Sequence, residues 1–196
     1  MMRSILLFFA ILFFCGLEEQ VTTEQIRLNA GQGSLIYIYP GIPDKPILLH
    51  YYIPTQGDVK NMPILFSMAG ADRSGAPQIS VWKTYAESKG FIVLAPEYDK
   101  KTYSENDYQF GGILESGNSF NARPQAQWTY SSIEDIFDAC VKALGSNQKT
   151  YLLYGHSAGG QFVHRFLMAM PDARVSKACA ANPGSWTFPY VDGFSD

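Results

Sequence analysis

The segment Gly155-His156-Ser157-Ala158-Gly159 has the residue types and spacing to do chemistry. An apolar run leads into it and a helical pattern leads out of it, the context that a G-x-S-x-G pentapeptide requires. A turn that passes directly from strand to helix holds its central serine in a strained backbone conformation. Glycines two before and two after leave room for the backbones that cross there. The Ser157 hydroxyl then projects above the sheet, at the positive end of the following helix. A serine hydroxyl is a weak nucleophile until a base takes its proton. The oxyanion that develops on an attacked carbonyl also needs N–H donors. Ala158, the residue after the serine, would supply one. The loop after the third strand, Met68-Ala69-Gly70-Ala71-Asp72-Arg73-Ser74-Gly75, would supply the other, and the Ala71 N–H is the candidate. The plain alternative is a serine N-cap closing a glycine-rich turn, which has no need of glycine on both flanks.

The elements that must position these groups are readable as alternating patterns. Residues 35–39 and 46–53 are β-rich and bounded by Pro and Gly, which predicts an antiparallel pair turned at 40–43. Residues 63–69 and 91–96 are continuous apolar runs, as strands covered on both faces are. A helix is predicted over 78–89, closed by Gly90 as a left-handed cap. Ile133, Ile136, Phe137, Cys140, Val141 and Leu144 recur at helical spacing between Thr129 and Gly145. A strand at 150–154, a helix at 158–170 stopped by Pro171 and a strand at 175–181 complete the series. Strands alternating with helices imply an α/β fold with a mostly parallel sheet and right-handed crossovers.

Residues 99–127 form a long polar stretch of little periodicity, read as an insertion that serves either as a binding loop or as ordered surface. Its aromatics and their flanks, Tyr98, Tyr103, Tyr108, Phe110, Phe120, Trp128 and Tyr130, either line a cleft or pack the insertion onto the body. The second reading is preferred. Asp99, Glu105 and Asp107 match no calcium loop and are read as solvated charges.

Composition narrows the classes. The chain has 196 residues, of which 46% are apolar and 17% charged, so it is globular rather than disordered. The net charge of −3 and the absence of a basic run exclude a phosphate-binding surface, so no nucleic-acid partner is expected. Three cysteines without paired spacing exclude a disulfide framework and a cysteine-rich zinc module, and no metal or cofactor is expected. Cys140 and Cys179 are read as buried free thiols, although an oxidising compartment would permit a bridge. Residues 1–16 are read as an export leader: Arg3 precedes an apolar run from Ile5 to Phe14 that is too short to span a bilayer. Cys15 directly after it resembles the lipidated residue of a bacterial lipoprotein, with Phe14 departing from the usual small residue. The expected protein is exported, either free or held to a membrane through a lipid on Cys15. The domain proper is read as 17–196.

On these motifs the chain resembles an α/β-hydrolase, of the kind that includes secreted esterases and polyhydroxyalkanoate depolymerase-like enzymes. The resemblance runs from about Ile36 to Pro183. It rests on the segment Gly155 to Phe162, on Leu94-Ala95-Pro96-Glu97 after a strand, and on the loop after the third strand. That loop has Ala69-Gly70 where such enzymes often have His-Gly. The resemblance implies cleavage of a small or polymeric carboxylic ester through an acyl-enzyme on Ser157. It also implies an acid and then a histidine later in the chain. Only His164 follows Ser157, and two helical turns, about 10 Å, separate them. His156 must point away from the turn, and His50 sits in an early strand expected at the sheet edge. Asp172 reads as a surface residue, Asp192 as a weak candidate acid, and Asp196 is the last residue. The chain is therefore expected to hold the nucleophile half of such a domain, to end before its acid and base, and to be poorly stable or inactive as given. The strand at 175–181 would then be an uncapped sheet edge. Competing readings are a non-catalytic binding protein on the same fold, and acyl transfer or peptide cleavage on the same serine.

Overall fold

Residues 47–53 alternate between buried and half-buried, as in a strand with a different layer on each face. The computed structural model describes residues 26–115 and 121–188. The leader with Cys15, and also Phe120, Asp192 and Asp196, lie outside the described residues. Strand β1 (Gly31–Tyr37) pairs antiparallel with β2 (Ile47–Ile53), in a register that runs from Gly31 opposite Ile53 to Tyr37 opposite Ile47. This pairing starts the first strand four residues before the expected 35–39. Strands β3 (Ile64–Met68), β4 (Ile92–Glu97), β5 (Tyr151–His156) and β6 (Val175–Ala181) follow. The sheet order is β1-β2-β4-β3-β5-β6. β2 meets β4 antiparallel, and the pairs from β4 to β6 are all parallel. The fold class is α/β with a mostly parallel sheet, as the alternation predicts.

Both faces are covered. Ile92 and Leu94 of β4 enter the main core, whereas Val93 and Ala95 enter a second cluster with Ile79 and Ala86. Alternate residues of a strand point to opposite faces. Helix α1 (Gly75–Lys89), which carries Ile79 and Ala86, therefore lies on one side. Helices α3 (Ser131–Leu144) and α4 (Ala158–Ala169) lie on the other with Phe137, Phe162 and Phe166. Each fully buried Phe of this kind contributes about 1.5–3 kcal/mol. α1 begins three residues before the predicted 78, because Pro77 sits in the first turn, where its missing N–H costs no bond. Gly90 ends it at φ 68°.

The described residues of the insertion carry elements of their own. They contain the short helix α2 (Glu105–Gln109), closed by a reciprocal Ser104–Asp107 cap, a 3-10 turn at Gln125–Gln127 and a bridge between Leu114 and Ala122. Tyr98, Tyr103, Tyr108 and Tyr130 are fully buried, and Tyr108 and Tyr130 meet the Phe162 ring at centroid distances of 5.1 and 4.7 Å. These rings pack the insertion onto the body. Phe110 instead stays half exposed and lines a cavity of about 230 Å³ beside Arg165 and Met168. Asp107 corrects the expectation of solvated charges. It is buried, with Lys45 Nζ at 3.0 Å and an Arg123 guanidinium nitrogen at 3.3 Å, because the insertion folds back onto the β1–β2 connection. Cys179 corrects another: Cys140 is buried in α3, but Cys179 is exposed on β6, and both are free. β6 is the last strand of the described sheet, and most of its residues are exposed.

Candidate functional site

Ser157 sits between β5 and α4 with φ 58° and ψ −119°, a conformation that costs a non-glycine residue of order 1–3 kcal/mol. Its neighbours explain why the turn needs glycine. A Cβ on Gly155 would overlap the Gly159 carbonyl oxygen, and one on Gly159 would overlap the Met68 carbonyl oxygen. The Ser157 N–H donates to Ala181 O at 3.0 Å, and Ser157 O accepts from Gln161 N at 3.0 Å. The turn is thus bonded to the end of β6 and to the first turn of α4. Ser157 is partly exposed, and no hydrogen bond to its hydroxyl occurs among the described residues.

Register decides which loop faces it. β3 lies beside β5 with Met68 opposite Gly155, so both chains leave the sheet at the same level. The carboxyl ends of neighbouring parallel strands are where α/β sheets bind ligands. A Cβ on Gly70 would lie 3.9 Å from Ser157 Cβ and 3.7 Å from His156 O. The loop that carries Ala71 therefore adjoins Ser157. The Gly70 carbonyl accepts from Arg73 N at 3.0 Å, which makes a tight turn, and Arg73 holds φ 66°. Ala158 lies at the amino end of α4, where the helix leaves N–H groups unpaired. Neither the Ala71 nor the Ala158 N–H donates a hydrogen bond among the described residues.

The three histidines are separated. His50 is not at the sheet edge: β2 lies between β1 and β4, and His50 pairs opposite Ala95. Its Nε2 is 3.2 Å from Glu97 Oε2, and the same carboxylate oxygen accepts from Gly75 N at 2.8 Å, pinning the start of α1. His164 is buried in α4. Its Nδ1 lies 3.2 Å from Gly160 O, and its Nε2 accepts from Thr187 N at 3.0 Å. Nδ1 is therefore the protonated nitrogen, and burial lowers the pKa of the ring. His156 is exposed beside Ser157, and Asp172 is exposed after α4.

Tyr108, which the sequence reads as a packing aromatic, and Arg73, to which it gives no role, touch this region. Tyr108 donates its hydroxyl to Ala69 O at 2.6 Å, and the Arg73 guanidinium lies 4.3 Å from the Tyr108 ring centre. The partners are 39 and 35 residues apart in the chain, and no local periodicity marks such pairs. Among the described residues, no group of three or more His, Cys, Asp or Glu is placed to hold a metal ion, and no helix is long and apolar enough to cross a membrane.

A mixed sheet covered by helices, with a strained serine at the strand-to-helix turn of β5, is the architecture of the α/β-hydrolase superfamily, and this chain has that fold. Its relatives are more particular. The chain is 42% identical to poly(aspartic acid) hydrolase-1 from Sphingomonas sp. KT-1, with a TM-score of 0.77 over 83% of this chain and 60% of that one. It is 28% identical to a poly(3-hydroxybutyrate) depolymerase from Bordetella parapertussis, with a TM-score of 0.76 over 84% of this chain and 56% of that one. It is also 26% identical over 137 residues to a bifunctional acetylxylan esterase/xylanase from Neocallimastix patriciarum, covering 69% of this chain and 18% of that protein. The chain thus spans little more than half the length of the two solved structures and under a fifth of the curated relative. No family model matches it.

Proposed function

We propose that this chain carries the nucleophile and oxyanion-binding groups of a hydrolase that cleaves carboxylic esters through an acyl-enzyme on Ser157. The observation that carries the reading is the strained φ of Ser157 at the amino end of α4, with Gly70 packed against it. Two relatives are named for ester substrates, a polyester depolymerase and an acetylxylan esterase, whereas the 42% identical one is named for poly(aspartic acid), a polyamide, which agrees with cleavage of an amide on the same serine. In the acylation step the Ser157 Oγ–carbon bond forms and the bond from the acyl carbon to the alcohol oxygen breaks. The serine proton ends on the departing alcohol. The Ala158 and Ala71 N–H groups would hold the intermediate oxyanion, each worth about 10²–10³ in rate. Water then releases the acid by the reverse sequence. His50 and His164 are committed to other partners, so the reading gives the role of base to neither.

Export through the leader 1–16 is part of the proposal and rests on its charge and apolar pattern. Attachment through Cys15 rests on its place after the apolar run. Incorporation of a palmitate analogue, lost in Cys15→Ala, would support the anchor, and an unlabelled wild type would remove it.

The test of the chemistry is an alkyl fluorophosphonate probe on the full-length protein. Covalent capture at Ser157, abolished by Ser157→Ala, is expected together with turnover of p-nitrophenyl esters. A folded protein that the probe leaves unlabelled would overturn the serine mechanism. A second reading is a binding protein that keeps the cleft. It predicts thermal stabilisation by an ester ligand without turnover.

A further inference from the structure

We infer that Tyr108 and Arg73 form a strut that fixes the loop opposite Ser157, and that Tyr108 is a positioning residue for the oxyanion donor at Ala71. The inference rests on the serine-hydrolase reading and assigns the insertion a part in it. Three contacts close a ring. The Tyr108 hydroxyl donates to Ala69 O at 2.6 Å, with both residues fully buried. The Arg73 guanidinium lies over the Tyr108 ring at 4.3 Å. The Arg73 N–H donates back to Gly70 O at 3.0 Å.

The consequence follows from peptide geometry. In a trans peptide the C=O and the N–H point in opposite directions, and the described chain has no cis bond. Binding Ala69 O sets the plane of the 69–70 peptide. Binding Gly70 O sets the plane of the 70–71 peptide, and with it the direction of the Ala71 N–H. Two successive planes are thus held from one side by α2 and by the loop's own Arg73. Ala69 O also faces the turn, since a Cβ on Gly159 would come within 2.7 Å of it. The carbonyl is therefore held between the insertion and the turn that carries Ser157.

Arg73 bears marks of this duty. It is 4% exposed and takes a left-handed φ of 66°, which a non-glycine residue adopts only when its surroundings hold it there. Among the described residues its guanidinium forms one long hydrogen bond, 3.5 Å to Tyr103 O, and its Nε has no partner. No carboxylate pairs with it among the described residues. The Tyr108 ring lies against it, and a cation on an aromatic face in a desolvated site is a favourable contact. Burial holds the Tyr108 phenol protonated throughout the neutral range, so it remains a donor. The Phe162 ring of α4 backs Tyr108 at 5.1 Å and completes the support.

The test uses the full chain and a fluorophosphonate whose capture by Ser157 is followed in time. Tyr108→Phe keeps the ring under Arg73 and removes only the hydroxyl. The expected result is a maximal capture rate about tenfold lower, with unchanged half-saturation by the probe and the same final fraction of labelled protein. A purely structural role would lower the labelled fraction and leave the rate per molecule alone, and that result overturns the inference. An unchanged rate in Tyr108→Phe, with the wild type labelled, overturns it without touching the serine reading. A wild type that is not labelled overturns both. If Tyr108→Phe does not fold, Arg73→Gln carries the same expectation of slowed capture at full final labelling, and an unchanged rate there is equally decisive.

Discussion

Ser157 holds a backbone conformation that glycine would adopt at no steric cost, so the chain retains strain there. The strain is tolerated because the turn is bonded on both sides, by Ala181 O and by Gln161 N. Ser157→Gly should therefore stabilise the fold. Relief of strain outweighs the added freedom of the unfolded chain by about 1 kcal/mol. The melting midpoint is expected to rise by about 2–4 °C while probe capture disappears. A midpoint that falls would show that the turn is not strained. Gly155 and Gly159 owe their identity to a different cause, since any side chain there meets backbone atoms that cannot move without separating β3, β5 and α4.

At the scale of elements, the insertion is held by one buried carboxylate. Asp107 caps α2 through Ser104 and pairs with Lys45 before β2 and with Arg123 beyond the helix. Burial by itself would raise its pKa, but the hydrogen bonds from Lys45 and Ser104 outweigh burial and hold it below the usual carboxylate value. A lowered folded-state pKa means that the stabilisation is complete above the unfolded value, about 3.9, and is lost as pH falls through the folded one. Asp107→Asn should cost about 2 kcal/mol at neutral pH. Melting midpoints of variant and wild type should converge as pH drops below about 4. A constant difference between them from pH 7 to pH 3 would contradict the charged role. Because α2 also carries Tyr108, the same variant loosens the support of the loop beside Ser157.

At the scale of the whole molecule, the sheet is protected unequally. β3 is covered on both faces, whereas β6 exposes Ser176, Lys177, Ala178 and Cys179. The two described thiols report this difference. Burial pushes the Cys140 thiol far up and screens it from reagents, while Cys179 stands in solvent. Brief maleimide treatment of the native protein, read by peptide mass, should modify Cys179 at least tenfold faster than Cys140, and denaturant should equalise them. Equal native rates would mean that β6 is covered in solution or that the α3 face is open.

The sequence by itself determined the strained serine turn, the order of strands and helices, and the α/β class. Each of these is set by residues within a few positions of one another: glycine sterics around Ser157, apolar runs in β3 and β4, helical periodicity in α3. Tertiary structure decided which side chains meet across the fold. It buried Asp107 between Lys45 and Arg123, moved His50 from the expected edge onto Glu97 inside the sheet, and turned Cys179 outward. It also joined Tyr108 to the Ala69 carbonyl and Arg73 to the Tyr108 ring. The physical reason lies in the strand order β2-β4-β3-β5, which sets β3 between strands from before and after the insertion. Hydrogen bonds across such distances depend on how layers stack, and the spacing of residues along the chain carries no record of that.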